Sequence, residues 1–344
     1  MGGNGHYPVL TLPTEIVLEI FERFVPNYPR FPPLLGLKSP TVLTQICREW
    51  REIALATPTL WRAISFLPDG SVSSSKQLAV VRKWLLRSHP LPLSLRCVPA
   101  YSAMDFIAAI VPHRDRWEHL CMQNVVPDNV FALEGPMPLL RHFDIARAST
   151  ARSVVLNAPL LCTAALDYGA AKAVVLPYAQ LTTLHLTGPM LPDESVPLLQ
   201  QAPNLIDCEL AVFSFADDHA AAAPDVTLPR LESLRLRIRS LDGHPMERFL
   251  IVPALRRLHI VESLSAPKAA AIRSFGAFVA KAGCTRLEEV RITSEAYREP
   301  EQEVASEYAY RTAFPSIPAF VVVYSSAQGD QFNFISFLRS NGLI

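Results

Sequence analysis

The chain has 344 residues, of which 50% are hydrophobic and 19% are charged, with 32 basic and 32 acidic residues. A formal net charge of zero removes the bulk electrostatic attraction for polyanions, so we expect neither nucleic acid nor a membrane surface as a partner. The composition is typical of a folded protein and excludes a disordered chain. Proline is over-represented, with 30 residues, which predicts many short elements joined by stiff turns.

The six cysteines are widely separated along the chain, so no pair has the spacing of a zinc clip. Unpaired, mostly buried thiols are typical of a reduced, intracellular protein, which we expect in the cytoplasm, the nucleus or both. The longest charge-free run, between Lys172 and Asp193, contains three prolines and does not fit a membrane span. We expect no cofactor and no metal.

Three short helical segments open the chain. Pro13 and Glu15 have the residue types of a helix start, and Ser39-Pro40 and Thr57-Pro58 repeat a cap-plus-proline signal. We predict one helix after Pro13, a second continuous helix from Ser39, and a short turn after Thr57. Their apolar positions recur at helical spacing: Ile16, Ile20, Phe21 and Phe24; Leu43, Ile46, Cys47, Trp50 and Ile53; then Leu60 and Trp61.

The order LPTEIVLEIFERF, ICREW and TPTLWRAI, over residues 12–64, resembles the F-box. The segment between the first two helices, residues 25–39, departs from it in being longer and richer in proline than in most F-boxes. F-box proteins with a proline-punctuated C-terminal part are abundant in mushroom-forming fungi. The resemblance implies a small helical bundle that docks the Skp-type adaptor of Skp–cullin–F-box ubiquitin ligases, and through it a cullin.

A domain of some fifty residues has too little interior to bury every apolar group of these helices, so part of them should form an exposed patch. Core and adaptor-facing positions cannot be separated by pattern alone. The candidate adaptor-binding residues are Leu12, Pro13, Ile16, Ile20, Phe21, Leu43, Cys47, Trp50, Leu60 and Trp61.

After this segment a motif Pro-x-L-x-x-L-x-L recurs, in which L is any apolar residue. Its first apolar positions are residues 117, 140, 161, 181, 205, 231, 255 and 287, and five of the eight copies have proline two residues earlier. All spacings but the last lie in the range of about 20–29 residues of a leucine-rich repeat, which the motif resembles. No copy has the Asn or Cys that closes the LxxLxLxx[NC] consensus, so we expect an irregular horseshoe.

The predicted fold class is therefore α/β: a small helical F-box bundle followed by an irregular leucine-rich-repeat-like solenoid. We predict a disordered N-terminus (1–9), the F-box domain (10–66), a linker helix (67–90) and the repeat domain (91–344). Near the end of the chain we predict a helix from Pro267 to Gly283, a strand from Phe320 to Tyr324, and a capping helix after Asp330.

Residues that flank the last two apolar positions of each copy should point away from the core, onto the concave face. Acidic residues gather in the middle copies and basic ones in the later copies. One hypothesis is a cationic patch for an acidic or phosphorylated protein substrate, because the planar arginine fork binds both groups. The alternative is that these charges pair locally with Asp207, Glu209 and Glu289. The candidate substrate-binding residues are Arg235, Arg237, Arg257, His259 and Arg291.

No catalytic residue or metal site is predicted. The chain has no GxxxxGK[ST], HExxH, GxSxG or GxGxxG motif, and Asp217-Asp218-His219 has no further ligand nearby in sequence. We therefore predict a non-catalytic substrate receptor of a ubiquitin ligase. The alternatives are an adaptor-binding protein outside a ligase, and a repeat scaffold in which the N-terminal bundle is only a cap.

Overall fold

The computed structural model describes residues 12–67, 74–98, 103–123, 133–146, 153–214, 224–240, 249–262, 268–294 and 308–324. The chain divides into two compact units, with the boundary between Leu160 and Leu161. It is a mixed α/β protein in which N-terminal helices precede parallel strands. The predicted N-terminal disorder and the helix after Asp330 lie outside the described residues.

Where the structure describes the first unit, it contains the N-terminal helices and five strands. The helices are α1 (Thr14–Phe24), a 3₁₀ helix (Pro40–Gln45), α2 (Arg48–Leu55), a 3₁₀ helix (Pro58–Trp61), α3 (Ser74–Arg87), α4 (Ala103–Ile110) and a 3₁₀ helix (Val111–Arg116). The strands are β1 (Ala63–Phe66), β2 (Leu93–Cys97), β3 (Trp117–Gln123), β4 (His142–Ala146) and β5 (Val154–Val155).

The prediction of one continuous helix after Ser39 is wrong. Ser39 caps as predicted, since its hydroxyl accepts a hydrogen bond from Thr41 N at 3.2 Å. The 3₁₀ helix then ends, and Cys47 takes an extended conformation (φ −151°, ψ 177°). The Cys47 sulfur accepts a hydrogen bond from Trp50 N at 3.4 Å, so Cys47 is the N-cap of α2 and not part of a helical stripe.

Aromatic rings join the helices into one core. Phe21 of α1 meets Trp50 of α2 edge-on, with ring centroids 5.2 Å apart. Trp61 meets Trp84 of α3 edge-on at 5.5 Å, and its indole N–H donates to Ala54 O at 3.0 Å. All four rings are buried, so the N-terminal helices and α3 pack through a shared aromatic core rather than as separate layers.

Strands β1 to β4 lie side by side in chain order, and each pair is parallel. The sheet begins at Ala63, inside the segment that the sequence assigns to the helical bundle. The Ile64 and Phe66 side chains are buried on one face, together with Leu93 and Leu95 of β2. Ser65 and Arg96 are Cα partners on the opposite face, which is polar.

The described residues of the second unit contain ten strands. Its strands are β6 (Thr163–Leu166), β7 (Val174–Val175), β8 (Thr183–Met190), β9 (Asp207–Ser214), β10 (Val226–Thr227), β11 (Ser233–Ser240), β12 (Leu250–Ile251), β13 (Arg257–Glu262), β14 (Glu289–Ser294) and β15 (Ala319–Tyr324). Its helices are α5 (Tyr168–Ala173), a 3₁₀ helix (Tyr178–Gln180), α6 (Pro192–Gln200) and α7 (Lys268–Ala282), and residues 308–313 are also helical.

Seven of these strands form a parallel sheet in the order β6-β8-β9-β11-β13-β14-β15. The three apolar positions of every one of the eight predicted motif copies are buried, in both units. In each copy the last two of them lie on a strand, so the alternation in the sequence corresponds to the alternation of the strand.

The prolines of the motif occupy tight turns that precede the strands. Leu140 N donates to Met137 O at 3.2 Å and Leu255 N donates to Val252 O at 3.1 Å, with equivalent bonds at Leu205 and Leu231. These are bonds between the first and fourth residues of a turn, and they place each proline second. That position needs a φ near −65°, which the proline ring sets in advance. Proline therefore marks where each strand is about to begin.

The late predictions hold within the described residues. Helix α7 ends at Ala282, and Gly283 follows with φ +68°, the left-handed conformation that glycine adopts without strain. Strand β15 covers the predicted strand at Phe320. The predicted start signals of α7, Ser265 and Pro267, fall outside the described residues.

Candidate functional site

Helix α1 presents an apolar stripe to solvent. Ile16, Ile20 and Phe24 are 44%, 37% and 37% exposed and recur every four residues, which places them along one side of the helix. Val17 and Phe21 form the neighbouring line and are buried. The helix starts at Pro13, whose carbonyl accepts from Ile16 N and Val17 N. We call Ile16, Ile20 and Phe24 the α1 stripe.

The structure divides the ten candidate adaptor-binding residues into two equal sets. Five are accessible: Leu12, Pro13, Ile16, Ile20 and Cys47. The other five, although adjacent to them in sequence, belong to the core of the free chain: Phe21, Leu43, Trp50, Leu60 and Trp61. A residue with no accessible surface cannot contact a partner unless the bundle rearranges.

Three exposed apolar side chains of the same segment are absent from the predicted set. Phe24 completes the α1 stripe, Leu37 is 87% exposed and Ile46 is 48% exposed. Phe24 could have been found, because it follows Ile20 at the same spacing that relates Ile20 to Ile16. The exposure of Leu37 has no signal in a pattern of helical spacing, because Leu37 lies between helices.

The polar face of β3 and β4 is not open, contrary to the predicted outward positions. Cys121 and Asp144 are buried, and the Cys121 thiol donates to Asp144 Oδ2 at 3.6 Å. The rings of His119 and His142 stack with centroids 4.4 Å apart. Burial, with the nearby positive charges of this face, lowers the pKa of His119 to about 3, and burial also lowers the pKa of His142.

Charged side chains in the second unit pair with each other. His185 Nε2 lies 2.9 Å from Asp207 Oδ1, and Arg235 Nη1 lies 3.6 Å from Glu209 Oε2. His185 and Glu209 are each 4% exposed. Burial raises the pKa of Glu209, whereas hydrogen bonds with His185 and Ser233 outweigh burial and lower the pKa of Asp207. Of the two alternatives that the sequence left open for Arg235, the structure shows local pairing with an acidic side chain, Glu209.

The other candidate substrate-binding residues differ in accessibility. Arg235, His259 and Arg291 are successive Cα partners across β11, β13 and β14, so they form one row of the sheet. Arg291 and Arg257 are exposed, and neither forms an ion pair within the described ranges. His259 Nε2 lies 3.0 Å from Thr293 Oγ1, and Arg237 is half-buried. Among these five candidates, Arg257 and Arg291 are therefore the exposed ones.

Cysteine and metal chemistry add no further site. All six cysteines are unpaired, and four of them are buried: Cys97, Cys121, Cys208 and Cys284. Burial raises the pKa of Cys97 and Cys284 to about 12, which keeps both thiols protonated. Among the residues with described positions, no group of three or more His, Cys, Asp or Glu side chains could hold a metal ion. The Asp217-Asp218-His219 sequence falls outside that part of the chain.

A membrane span is also not found: in the described part of the chain, no helix has both the length and the apolarity that crossing a bilayer requires.

Comparison with known proteins assigns the N-terminal segment. A search among curated proteins found no match to the chain. Residues 9–67 match the F-box-like family, and this range includes the α1 stripe, both 3₁₀ helices of the segment and α2. F-box domains bind Skp-type adaptors, commonly within ubiquitin ligases, and F-box proteins are typically non-catalytic. The match supports the interpretation that this chain is an adaptor-binding F-box protein.

Proposed function

We propose that this chain is the substrate-recognition subunit of a Skp–cullin–F-box ubiquitin ligase. The observation that carries the proposal is the α1 stripe, because three large apolar side chains stay exposed in a segment that matches the F-box-like family. A folded chain gains stability by burying such groups, and a row of them at one helix side is typical of an interface. The partner that this segment implies is a Skp-type adaptor.

The stripe is strong enough to contribute to binding. Complete burial of an Ile or Phe side chain is worth about 1.5–3 kcal/mol, so covering the exposed part of each is worth about 1 kcal/mol. Leu12 and Pro13 precede the stripe directly in the chain and are also accessible. In this proposal Phe21, Leu43, Trp50, Leu60 and Trp61 support the docking surface from inside, and Cys47 fixes the start of α2.

For the substrate, we propose that residues 91–344 form the leucine-rich-repeat-like solenoid, after an F-box domain at residues 10–66 and a linker at residues 67–90. Support comes from the parallel strands in chain order and from the turn prolines. Arg257 and Arg291 are the accessible candidates for an acidic or phosphorylated substrate, with His259, Arg235 and Arg237 beside them. The work of such a subunit is to hold the substrate near the ligase, in the cytoplasm or the nucleus.

Two alternatives predict different binding. An adaptor-binding protein outside a ligase would bind the adaptor without co-purifying a cullin. A repeat scaffold with a capping bundle would bind no adaptor. The burial of Trp50 and Trp61 is compatible with a capping bundle, so the α1 stripe is what favours docking.

The test is a pull-down with a purified Skp-type adaptor. Ile16→Asp/Ile20→Asp places two charges on the stripe, and we expect it to lower adaptor affinity at least about 30-fold, the effect of losing 2 kcal/mol. The matched control is Leu86→Asp, because Leu86 is an apolar residue of α3, 74% exposed and outside residues 9–67. Equal binding by the stripe variant and the control would overturn adaptor docking through α1.

A further inference from the structure

The connector between α1 and the first 3₁₀ helix, residues 25–39, lies against the polar face of β1–β3. Tyr28 contacts β3: its hydroxyl donates to Glu118 Oε2 at 2.7 Å and lies 3.4 Å from His119 Nδ1. Its ring meets the His119 ring edge-on, with centroids 5.5 Å apart. The Arg62 guanidinium covers the Tyr28 ring at 3.7 Å. One aromatic side chain is therefore held on two sides and at its hydroxyl.

The next residues of the connector contact β2. The Ser94 hydroxyl donates to Pro29 O at 3.0 Å. The Arg96 guanidinium lies 4.7 Å from the centre of the Phe31 ring, and Arg96 Nε donates to Ser65 Oγ at 2.8 Å. Ser94 and His119 are Cα partners on neighbouring strands, so Tyr28 and Pro29 follow one row of the sheet. The four residues Tyr28 to Phe31 bind through two rings and a backbone carbonyl.

These contacts have the character of peptide recognition rather than of core packing. The groups that receive the connector are polar or charged: Ser94, Arg96, Glu118 and His119. The groups that they hold are an aromatic hydroxyl, a carbonyl oxygen and an aromatic face. A peptide of the same sequence offers the same groups when it adopts the turn of the connector, in which Arg30 N donates to Asn27 O at 2.9 Å. Burial, with the bond to Glu118, raises the pKa of Tyr28 and keeps its hydroxyl protonated as a donor.

We propose that the polar face of β1–β3 is a binding surface for a Tyr-Pro-x-Phe segment that starts in a tight turn, and that the connector of this same chain occupies it. The connector acts as an internal competitor, so a partner with this sequence binds only when it displaces residues 28–31. Calling that partner a substrate rests on the proposed function, but the surface itself is independent of adaptor binding.

In the native chain the bound connector lowers the apparent affinity of the surface for a free peptide. A tethered occupant has an effective concentration in the millimolar range, and a free peptide must compete with it. Removing the two rings of the connector should therefore open the surface to a peptide supplied in solution.

The experiment uses the full chain and a fluorescein-labelled peptide of residues 27–32, Asn-Tyr-Pro-Arg-Phe-Pro. We expect Tyr28→Ala/Phe31→Ala to bind this peptide, measured by fluorescence polarisation, at least tenfold more tightly than the native chain does. The matched control is the same peptide with alanine at its Tyr and Phe positions, which should bind at least tenfold more weakly to the variant. If the double variant does not fold, Tyr28→Phe, which loses only the hydroxyl contacts, replaces it in the same measurement.

A folded variant that binds neither peptide, or both equally, would overturn the proposal. Because no adaptor is present in this measurement, its failure would leave adaptor docking through the α1 stripe unaffected, and failure of the adaptor pull-down would leave this surface unaffected.

Discussion

Two glycine-to-alanine substitutions in the second unit should change stability in opposite directions. Gly188 lies in β8 and Gly276 in α7. A Cβ at Gly188 would lie 2.3 Å from the backbone nitrogen of Tyr168, where α5 begins. A Cβ at Gly276 would meet only the Phe314 ring, at 3.5 Å, an ordinary contact distance. The same added methyl group thus meets backbone atoms at Gly188 and fits into available space at Gly276.

The magnitudes follow from those distances. Atoms pack best at about 3.5–4.0 Å, so Gly188→Ala must separate β8 from α5 by about 1 Å. The neighbouring atom is the backbone nitrogen of Tyr168, which cannot rotate away. The loss of unfolding free energy should therefore lie near the upper end of the range for overpacked cores, about 3 kcal/mol. Gly276→Ala removes a glycine from a helix interior and should gain about 0.5–1 kcal/mol. The two variants should differ in stability by about 3.5–4 kcal/mol.

Urea unfolding followed by far-ultraviolet circular dichroism measures both variants against the native chain. We expect a lower midpoint for Gly188→Ala and a higher midpoint for Gly276→Ala. If Gly188→Ala unfolds at the native urea concentration, the close approach of β8 to the start of α5 is refuted.

Two further predictions concern single polar groups in the first unit. The pKa of His119 is lowered from 6.5 to about 3, so as the pH falls below 6.5 the unfolded chain takes up a proton that the folded chain does not. Between pH 6.5 and 5 this residue should remove about 1.6 kcal/mol of stability. In urea titrations at these two pH values His119→Gln should lose that much less than the native chain, and equal losses would contradict the prediction. The buried Ser39 hydroxyl accepts from Thr41 N at 3.2 Å and donates to Leu34 O at 2.8 Å, so Ser39→Ala should lower the unfolding free energy by about 1–2 kcal/mol, and an unchanged urea midpoint would show that this cap does not stabilise the bundle.

The strands of the repeated motif could be predicted because their burial is a local property. In a strand, alternate side chains point to the same face of the sheet, so Leu234 and Leu236 share one face whichever segments pack against it, and both are buried. The end of α7 at Gly283 is equally local, since a left-handed residue after a helix favours glycine.

Features that depend on packing between distant segments could not be predicted. Ile16, Ile20 and Phe21 all fit one helical stripe, and only the position of Trp50 decides that Phe21 is the buried one. Helical spacing relates Ile46, Cys47 and Trp50 in the sequence even though the helix is interrupted there. The pattern therefore gives no sign of the extended backbone at Cys47. The contact of Tyr28 with Glu118 joins residues 90 positions apart.

The order of the strands has a consequence for how the protein can change its length. In the second unit the strands of the main sheet follow one another in chain order, so each lies between the preceding and the following strand of that sheet, and β7, β10 and β12 lie outside it. If one repeat, consisting of a turn, a strand and the segment that leads to the next turn, is inserted or lost, only the pairing of strands at that point changes. The register between all other strands stays intact. A gene for such a protein can gain or lose one strand of the sheet by duplication or deletion of about 24 residues at a time, without redesign of the remaining core.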